Sequence, residues 1–134
     1  MKYRLLGNYK YQNLDTITIQ TEIKIGNIGN SYININSDGL LTISKGYSWD
    51  GPSGPTIDTK TFMRGSLIHD ALYQLMRDGY INRKYRDYSD KLLKQICIED
   101  GMNKFRSWYI YTSLKWFGNK NAEPNKKYKK IYRI

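Results

Sequence analysis

The sequence has 134 residues, enough for one domain with a hydrophobic core, and its 3 Trp, 13 Tyr and 3 Phe add large contact surfaces. A single cysteine, Cys97, excludes an internal disulfide, and no apolar run approaches the ~18 residues that a membrane-spanning helix needs. The formal net charge of +10 favours acidic partners, namely nucleic acid, anionic lipid, phosphorylated ligands or an acidic protein.

The first part of the chain has the pattern of β-strands. A short strand is expected over residues 3–6. In TITIQTEIKI, isoleucines on one side alternate with polar residues on the other, and this period of two predicts a strand. The isoleucines are Ile17, Ile19, Ile23 and Ile25. Further on, YINI and LLTI flank Asp38-Gly39, a pair that suits the positive φ of a hairpin turn.

The second part has the three- and four-residue spacing of amphipathic helices. The expected helices run from a cap at Asp58 or Thr59 to about Arg77, from about Tyr85 to Asp100, and from about Lys104 to Phe117. Glycine follows each helix and is expected to end it. Strands followed by helices predict an α+β fold, with a small N-terminal antiparallel β-sheet of hairpins packed against about three C-terminal α-helices.

The domain organisation is predicted from the distribution of charge. We expect a single α+β domain over residues 1–118 and a basic, flexible tail over residues 119–134, where six Lys and Arg residues oppose only Glu123. The N-terminal segment has no apolar stretch and no small-residue cleavage site, so it lacks the pattern of a signal peptide. With one thiol and no membrane span, the protein is expected to be made in the cytoplasm.

The only histidine, His69, lies in the middle of the apolar stripe of the first helix, so it is expected to face the core. Asp70 lies at the edge of that stripe. Asp90, in the second helix, points partly inward, and an antiparallel turn between the two helices would bring it near His69. Asp50 stands where the β part enters the Gly/Pro loop, and loops at such joints often carry function.

These four side chains are open to two chemical interpretations. One imidazole and three carboxylates, from Asp50, His69, Asp70 and Asp90, suit one divalent ion of Mg, Mn, Fe or Zn. Such an ion would turn bound water into a nucleophile. Without a metal, His69 would be the general base, with Asp70 and Asp50 as catalytic carboxylates, one of which sets its tautomer. Tyr73 and Arg86 are the residues expected to orient a substrate.

A structural interpretation stands beside these two. A buried histidine bonded to one aspartate is a common core feature. Asp50 can accept bonds from backbone N–H groups of the GPSG turn, and Asp90 can pair with Arg86 one turn earlier or with Arg64 across the helix pair.

Several enzyme classes are excluded by residue counts and spacing. HD phosphohydrolases use a second, upstream histidine for their metal, and zincins use HExxH, whereas this chain has one histidine. GPSGP lacks the GK[ST] ending of a phosphate-binding loop. Cys97 stands between Ile96 and Ile98 and is expected to be an inert core thiol.

The third helix, KFRSWYIYTSLKWFG, alternates basic and aromatic residues. Aromatic platforms beside Lys and Arg can hold single-stranded nucleic acid. The favoured expectation is that Trp108 and Trp116 pack inward while the lysines stay in solvent.

Four blocks succeed one another between Gly46 and Gly118: G-Y-S-W-D-G-P-S-G-P, L-I-H-D-A-L-Y, R-D-Y-S-D and Y-I-Y-T-S-L-K-W-F-G. In this order they resemble the phage and prophage family catalogued as domain of unknown function 1353. The motif positions fall on Asp50, Ser53, His69, Asp70, Tyr73, Arg86, Asp90 and Gly118. The resemblance implies a viral origin but no established reaction. It implies that Asp50, His69, Asp70 and Asp90 act as a unit, and it adds Ser53 to Tyr73 and Arg86 as candidate substrate-binding residues.

The leading hypothesis is a small phage accessory enzyme of hydrolytic type that acts on an anionic substrate, such as a nucleotide or a cell-envelope polymer. It would work in the host cytoplasm during infection or in association with the virion. The alternative is a non-enzymatic phage protein, either a minor virion component or an inhibitor of a host factor, with a structural HD pair. The third hypothesis is nucleic-acid binding through the basic tail and the third helix.

Overall fold

The computed structural model describes residues 1–7, 10–50 and 60–117, and it confirms the predicted α+β fold. Seven short strands precede three helices. The strands are β1 (Tyr3–Gly7), β2 (Lys10–Asn13), β3 (Ile17–Gln20), β4 (Ile28–Gly29), β5 (Ile33–Ile35), β6 (Leu40–Ile43) and β7 (Ser48–Asp50). The helices are α1 (Lys60–Arg77), α2 (Arg86–Glu99) and α3 (Lys104–Phe117), and a 3₁₀ turn, Arg83–Tyr85, leads into α2. None of the described helices is both long and apolar enough to cross a membrane.

The strands form two antiparallel sheets, with the orders β1-β2-β7 and β3-β6-β5-β4. The hairpin predicted at Asp38-Gly39 is confirmed, because Gly39 has a φ of +89° and β5 pairs with β6 in the register Ile35 to Leu41. The strand predicted over residues 3–6 is also confirmed as β1. In contrast, β2 and β7 were not predicted, since their inward residues are Tyr11 and Trp49 rather than alternating aliphatic side chains.

The long strand expected over TITIQTEIKI is shorter than predicted. It ends at Gln20 because Thr21 turns the chain: its N–H and its hydroxyl both donate to the Gly39 carbonyl, at 2.9 and 2.7 Å. The same hydroxyl accepts a bond of 3.1 Å from the Ile23 N–H. Beyond this turn the period of two no longer describes the surface, since Ile23 is fully buried and Ile25 is 45% exposed.

α1 is the central helix of the fold. Its apolar residues share one core with both sheets, in which β5 and β6 contribute Ile33, Ile35, Leu41 and Ile43. On its other side α1 packs on α2 around Gly65, where an added Cβ would lie 2.7 Å from Leu93 Cδ1 and 3.0 Å from Cys97 Sγ. The missing side chain at Gly65 therefore allows the two helices to come near enough for polar side chains to meet.

α3 packs against α2 through a narrow strip of residues, namely Ser107, Ile110 and Leu114, and at its edge the Tyr111 hydroxyl donates to Asp87 Oδ1 at 2.8 Å. The prediction that its tryptophans pack inward was wrong, because Trp108 and Trp116 are 52% and 74% exposed. The physical reason is that the contact side of the helix is built from small and aliphatic residues, which leaves the aromatic side on the surface.

Two side-chain hydrogen bonds hold β7 and the turn before it against α1. The Trp49 Nε1–H donates to Ser66 Oγ at 3.1 Å, and the Tyr47 hydroxyl donates to Gln74 Oε1 at 2.8 Å. They fix Asp50, the last residue of β7, beside the helix that carries His69. The predicted helix cap at Asp58 or Thr59, the candidate Ser53 and the predicted flexible tail over residues 119–134 lie outside the described residues.

Candidate functional site

His69 lies on the buried side of α1, as the helical wheel predicted, with only 6% of its surface exposed. Its Nε2 is 2.7 Å from Asp90 Oδ1 on α2, so the predicted approach of these two residues is confirmed. An ionised carboxylate can only accept hydrogen bonds, which means that the proton of a neutral His69 ring sits on Nε2. Nδ1 then carries the free lone pair.

A second donor reaches the same carboxylate oxygen. The Tyr73 hydroxyl, one turn after His69 on α1, donates to Asp90 Oδ1 at 2.6 Å, and the centroids of the His69 and Tyr73 rings are 4.1 Å apart. Sequence reasoning had assigned Tyr73 to substrate. The i, i+4 spacing from His69 was the signal that both side chains point at one neighbour. Tyr73 therefore helps to fix the position of Asp90.

Asp90 is almost fully buried, and its two oxygens have different surroundings. Oδ1 accepts the hydrogen bonds from His69 and Tyr73. Within residues 1–7, 10–50 and 60–117, no donor bonds to Oδ2, and the Arg86 Nη1 atom lies 3.8 Å away. The ion pair of Asp90 with Arg86, one of the two alternatives drawn from the sequence, is thus present. The other alternative is not, because Arg64 binds Asp100 and Glu99 instead.

Arg86 has a further role that the sequence did not indicate. Its Nη1 and Nη2 atoms donate to the carbonyl oxygens of Leu114 and Lys115, at 3.1 and 3.2 Å, in the last turn of α3. Carbonyls there have no partner inside the helix, and cations are favoured at this end. Arg86 therefore links the polar cluster on α1 and α2 to the end of α3.

Asp70 forms the outer edge of the cluster. Its Oδ1 lies 3.9 Å from His69 Nδ1, which is beyond hydrogen-bonding distance, and its side chain is 36% exposed. Asp70 thus stands between the free nitrogen of the imidazole and the solvent. The gap suits one water molecule that contacts both atoms from the outer side.

The pKa values of the cluster reflect burial and charge together. Burial disfavours the imidazolium and lowers the pKa of His69, but the neighbouring carboxylates of Asp70 and Asp90 outweigh burial, and the pKa lies above the ordinary 6.5. Burial raises the pKa of the Asp70 carboxyl, and the adjacent His69 offsets part of this. Burial, together with the bond to Asp90, also raises the pKa of Tyr73, which stays a neutral donor.

Asp50 lies on the surface, where its charge contributes to the raised pKa of the Asp70 carboxyl. Its side chain is 81% exposed, and its carboxylate lies 3.9 Å from Lys10 Nζ on β2. Among the described residues, no three His, Cys, Asp or Glu side chains are grouped so as to hold a metal ion. Metal binding by Asp50, His69, Asp70 and Asp90 therefore stays a prediction.

Cys97 is confirmed as a core thiol. It is 1% exposed and packs between α1 and α2, and burial raises the pKa of its thiol to about 12. A thiol with that pKa is not ionised near neutral pH, so Cys97 does not supply a nucleophile.

The structure thus brings together His69, Tyr73, Arg86 and Asp90, with Asp70 at the outer edge, and leaves Asp50 on the surface. Ser53 lies outside the described part of the chain. The chain matches no protein-family model, and neither curated proteins nor solved structures gave a significant match. The similarity to the phage family therefore rests on the four sequence blocks and stays a prediction.

Proposed function

We propose that this chain is a small phage-encoded accessory enzyme of hydrolytic type, in which His69 is the general base. The observation that carries the proposal is the 2.7 Å bond between His69 Nε2 and the buried Asp90 Oδ1, which leaves Nδ1 as the proton acceptor on the outer side of the cluster. A carboxylate that fixes the tautomer and orientation of a histidine is a recurrent arrangement of hydrolytic sites.

The reaction step uses the free lone pair of Nδ1. A water molecule in contact with Nδ1 and Asp70 loses a proton to Nδ1, while its oxygen forms a bond to the acyl or phosphoryl centre of the substrate. The bond to the leaving group breaks, and the imidazolium returns the proton to that group. During this step Asp90 stabilises the positive ring, and the hydroxyl of Tyr73 holds Asp90 in place.

The substrate class is inferred from charge. The net charge of +10 attracts anionic molecules, so the proposed substrate is a nucleotide, another phosphate-bearing molecule or a charged cell-envelope polymer. The phage origin is supported by the order of the four sequence blocks, whose polar positions His69, Tyr73, Arg86 and Asp90 meet in one network. The place of action proposed with it is the host cytoplasm during infection or the virion.

The test is hydrolysis of p-nitrophenyl phosphate, bis(p-nitrophenyl) phosphate and p-nitrophenyl acetate by the wild type and by Asp90→Asn. The amide oxygen of the variant can still accept from His69 Nε2 and the Tyr73 hydroxyl, but the negative charge that stabilises the imidazolium formed in the reaction is lost. We expect kcat/KM to fall by about 10²–10⁴ while the fold is kept. Asp87→Asn is the matched control, since Asp87 lies on the exposed side of the same helix, where it pairs with Lys91 and accepts a bond from the Tyr111 hydroxyl that an amide oxygen can also accept.

Two outcomes separate the versions of this proposal. Equal activity in wild type and Asp90→Asn contradicts a role for His69 as a base. Activity that is lost with a chelator and restored by Mg²⁺, Mn²⁺, Fe²⁺ or Zn²⁺ would favour the metal version of the site, in which the carboxylates and His69 hold the ion.

A second candidate function is favoured by the low exposure of the pair, because His69 is 6% and Asp90 is 1% exposed. In this version the chain is a non-enzymatic phage protein, a minor virion component or an inhibitor of a host factor, and the pair only holds α1 to α2. It predicts no turnover of any of the three substrates. It also predicts that His69→Gln lowers the free energy of unfolding without changing the effect of the protein on host cells.

A further inference from the structure

The exposed side of α3 is a continuous aromatic surface, here called the aromatic face. It consists of Phe105, Trp108, Tyr109 and Trp116, which are 77, 52, 59 and 74% exposed, with Thr112 between them. These positions span about 100° of a helical wheel and extend over about 16 Å of helix. Large aromatic side chains that share one exposed side of a helix usually mark a surface that another molecule covers.

The charge around the aromatic face is of one sign. Residues 104–134 contain nine basic residues and one acidic residue, out of 22 basic and 12 acidic residues in the whole chain. On the helix itself, Lys104 and Lys115 lie on one flank of the aromatic face, both exposed, and Arg106 lies on the opposite flank. A partner that covers the rings must therefore accept cations along the edge that carries Lys104 and Lys115.

This charge pattern disfavours two occupants of the aromatic face. Residues 119–134 carry six basic residues and Glu123 alone as an acid, so they would bring positive charge onto a positively charged helix. A second copy packed on the same surface would place Lys104 and Lys115 of each helix against the other. An anionic partner avoids both of these repulsions between like charges.

Between anionic partners, the ring geometry favours a lipid surface over single-stranded nucleic acid. Single-stranded nucleic acid stacks its bases on the open faces of aromatic rings. The Phe105 and Trp108 rings are 6.3 Å apart and tilted by 37°, so they pack on each other and leave no slot for a base. The membrane–water interface needs no fixed spacing: it takes aromatic rings at headgroup depth and phosphates beside the flanking lysines.

We propose that the aromatic face of α3 binds an anionic phospholipid surface, with the helix lying in the plane of the interface. The four aromatic side chains enter the headgroup region, and Lys104 and Lys115 contact lipid phosphates. This inference does not depend on the hydrolytic activity proposed for His69, since the two sites share no residue.

The test is co-sedimentation of the full chain with vesicles of phosphatidylcholine alone and of phosphatidylcholine mixed in equal parts with phosphatidylglycerol. We expect binding to the mixed vesicles, weakened by added salt, with a blue shift of tryptophan fluorescence. Trp108 and Trp116 must cause this shift, because Trp49 is 3% exposed before any binding.

The informative variant is Trp108→Ser combined with Trp116→Ser, which changes two exposed side chains and leaves the core intact. We expect its affinity for the mixed vesicles to fall about tenfold or more. The matched control is Tyr32→Ser combined with Tyr80→Ser, which removes two aromatic side chains, 50% and 41% exposed, away from α3. This control should bind like the wild type.

Three results would overturn the proposal. The first is equal binding by the tryptophan variant and the wild type. The second is equal binding to neutral and mixed vesicles, because this removes the role of charge. The third is no binding to vesicles together with salt-sensitive binding to a single-stranded oligothymidylate that the tryptophan variant loses, which would assign the aromatic face to nucleic acid.

Discussion

At the scale of single residues, Asp90 determines the tautomer of the neutral His69 ring, and Asp70 and Asp90 together favour its charged form. One oxygen of its carboxylate takes the hydrogen bonds of both His69 and Tyr73, at 2.7 and 2.6 Å, and the carboxylate is 1% exposed. A buried charge is stable only if donors and countercharges surround it, and here these are an imidazole, a phenol and the guanidinium of Arg86. The same arrangement that stabilises the carboxylate also fixes the tautomer of the ring.

The pH dependence of stability tests the charge state of this cluster. Because the folded protein raises the pKa of His69, its contribution to the free energy of unfolding is complete below the ordinary pKa of 6.5 and is lost as pH rises through the higher folded pKa. Urea unfolding should therefore give a wild type that loses stability above about pH 6.5. His69→Gln should lack that loss, and a parallel fall in both proteins would contradict the raised pKa.

At the scale of elements, the sequence predicted the helices and strands that local periodicity determines. The predicted bounds of α3 match the structure, and those of α2 match to within one residue at each end. Both helices have an amphipathic pattern that a glycine follows. Three features were missed. β2 and β7 present aromatic rather than aliphatic inward residues, β4 has only two residues, and β3 ends early through the side-chain bonds of Thr21. Hydrogen bonds between residues far apart in the chain cannot be predicted from the alternation of apolar and polar residues.

The contact between α1 and α2 depends on Gly65. A methyl group there would meet Leu93 and Cys97 at 2.7 and 3.0 Å, so Gly65→Ala should lower the free energy of unfolding by about 1–3 kcal/mol, despite the better helix propensity of alanine. Urea unfolding measures this change. In a double-mutant cycle with Leu93→Ala, the loss of unfolding free energy caused by Gly65→Ala should be smaller, because the shorter side chain leaves room for the added methyl group. A stabilised Gly65→Ala protein would contradict the close packing.

At the scale of the whole molecule, the candidate site depends on how α1, α2 and β7 are placed relative to one another, and the sequence predicted only part of this placement. His69 and Asp90 were predicted to meet because a short turn makes two helices antiparallel, and they do. Asp50 was predicted to join them because it precedes α1 in the sequence. In the structure its carboxylate lies on the surface, 3.9 Å from Lys10 Nζ on the neighbouring strand. A helical wheel gives the direction of a side chain on its own helix. It does not give the distance between that side chain and a residue at the end of a strand.

The attachment of α3 is a property of the molecule as a whole, because Arg86 connects the His69 cluster to the last turn of this helix. Arg86→Ala removes two bonds to the Leu114 and Lys115 carbonyls, worth about 1–2 kcal/mol together. Local opening should then become easier in α3 than in α1, which is buried between the sheets and α2. We expect amide exchange in α3 to accelerate about tenfold while protection in α1 changes less.

The control for this exchange measurement is Lys91→Ala on the same helix as Arg86, because the ion pair of Lys91 is with the exposed Asp87. Its α3 amides should exchange at the wild-type rate, since the bonds from the guanidinium to the end of α3 are kept. If α3 also exchanges at the wild-type rate in Arg86→Ala, the guanidinium does not hold this helix. The attachment would then depend on the bond from the Tyr111 hydroxyl to Asp87 and on the strip of small and aliphatic residues that packs on α2, namely Ser107, Ile110 and Leu114.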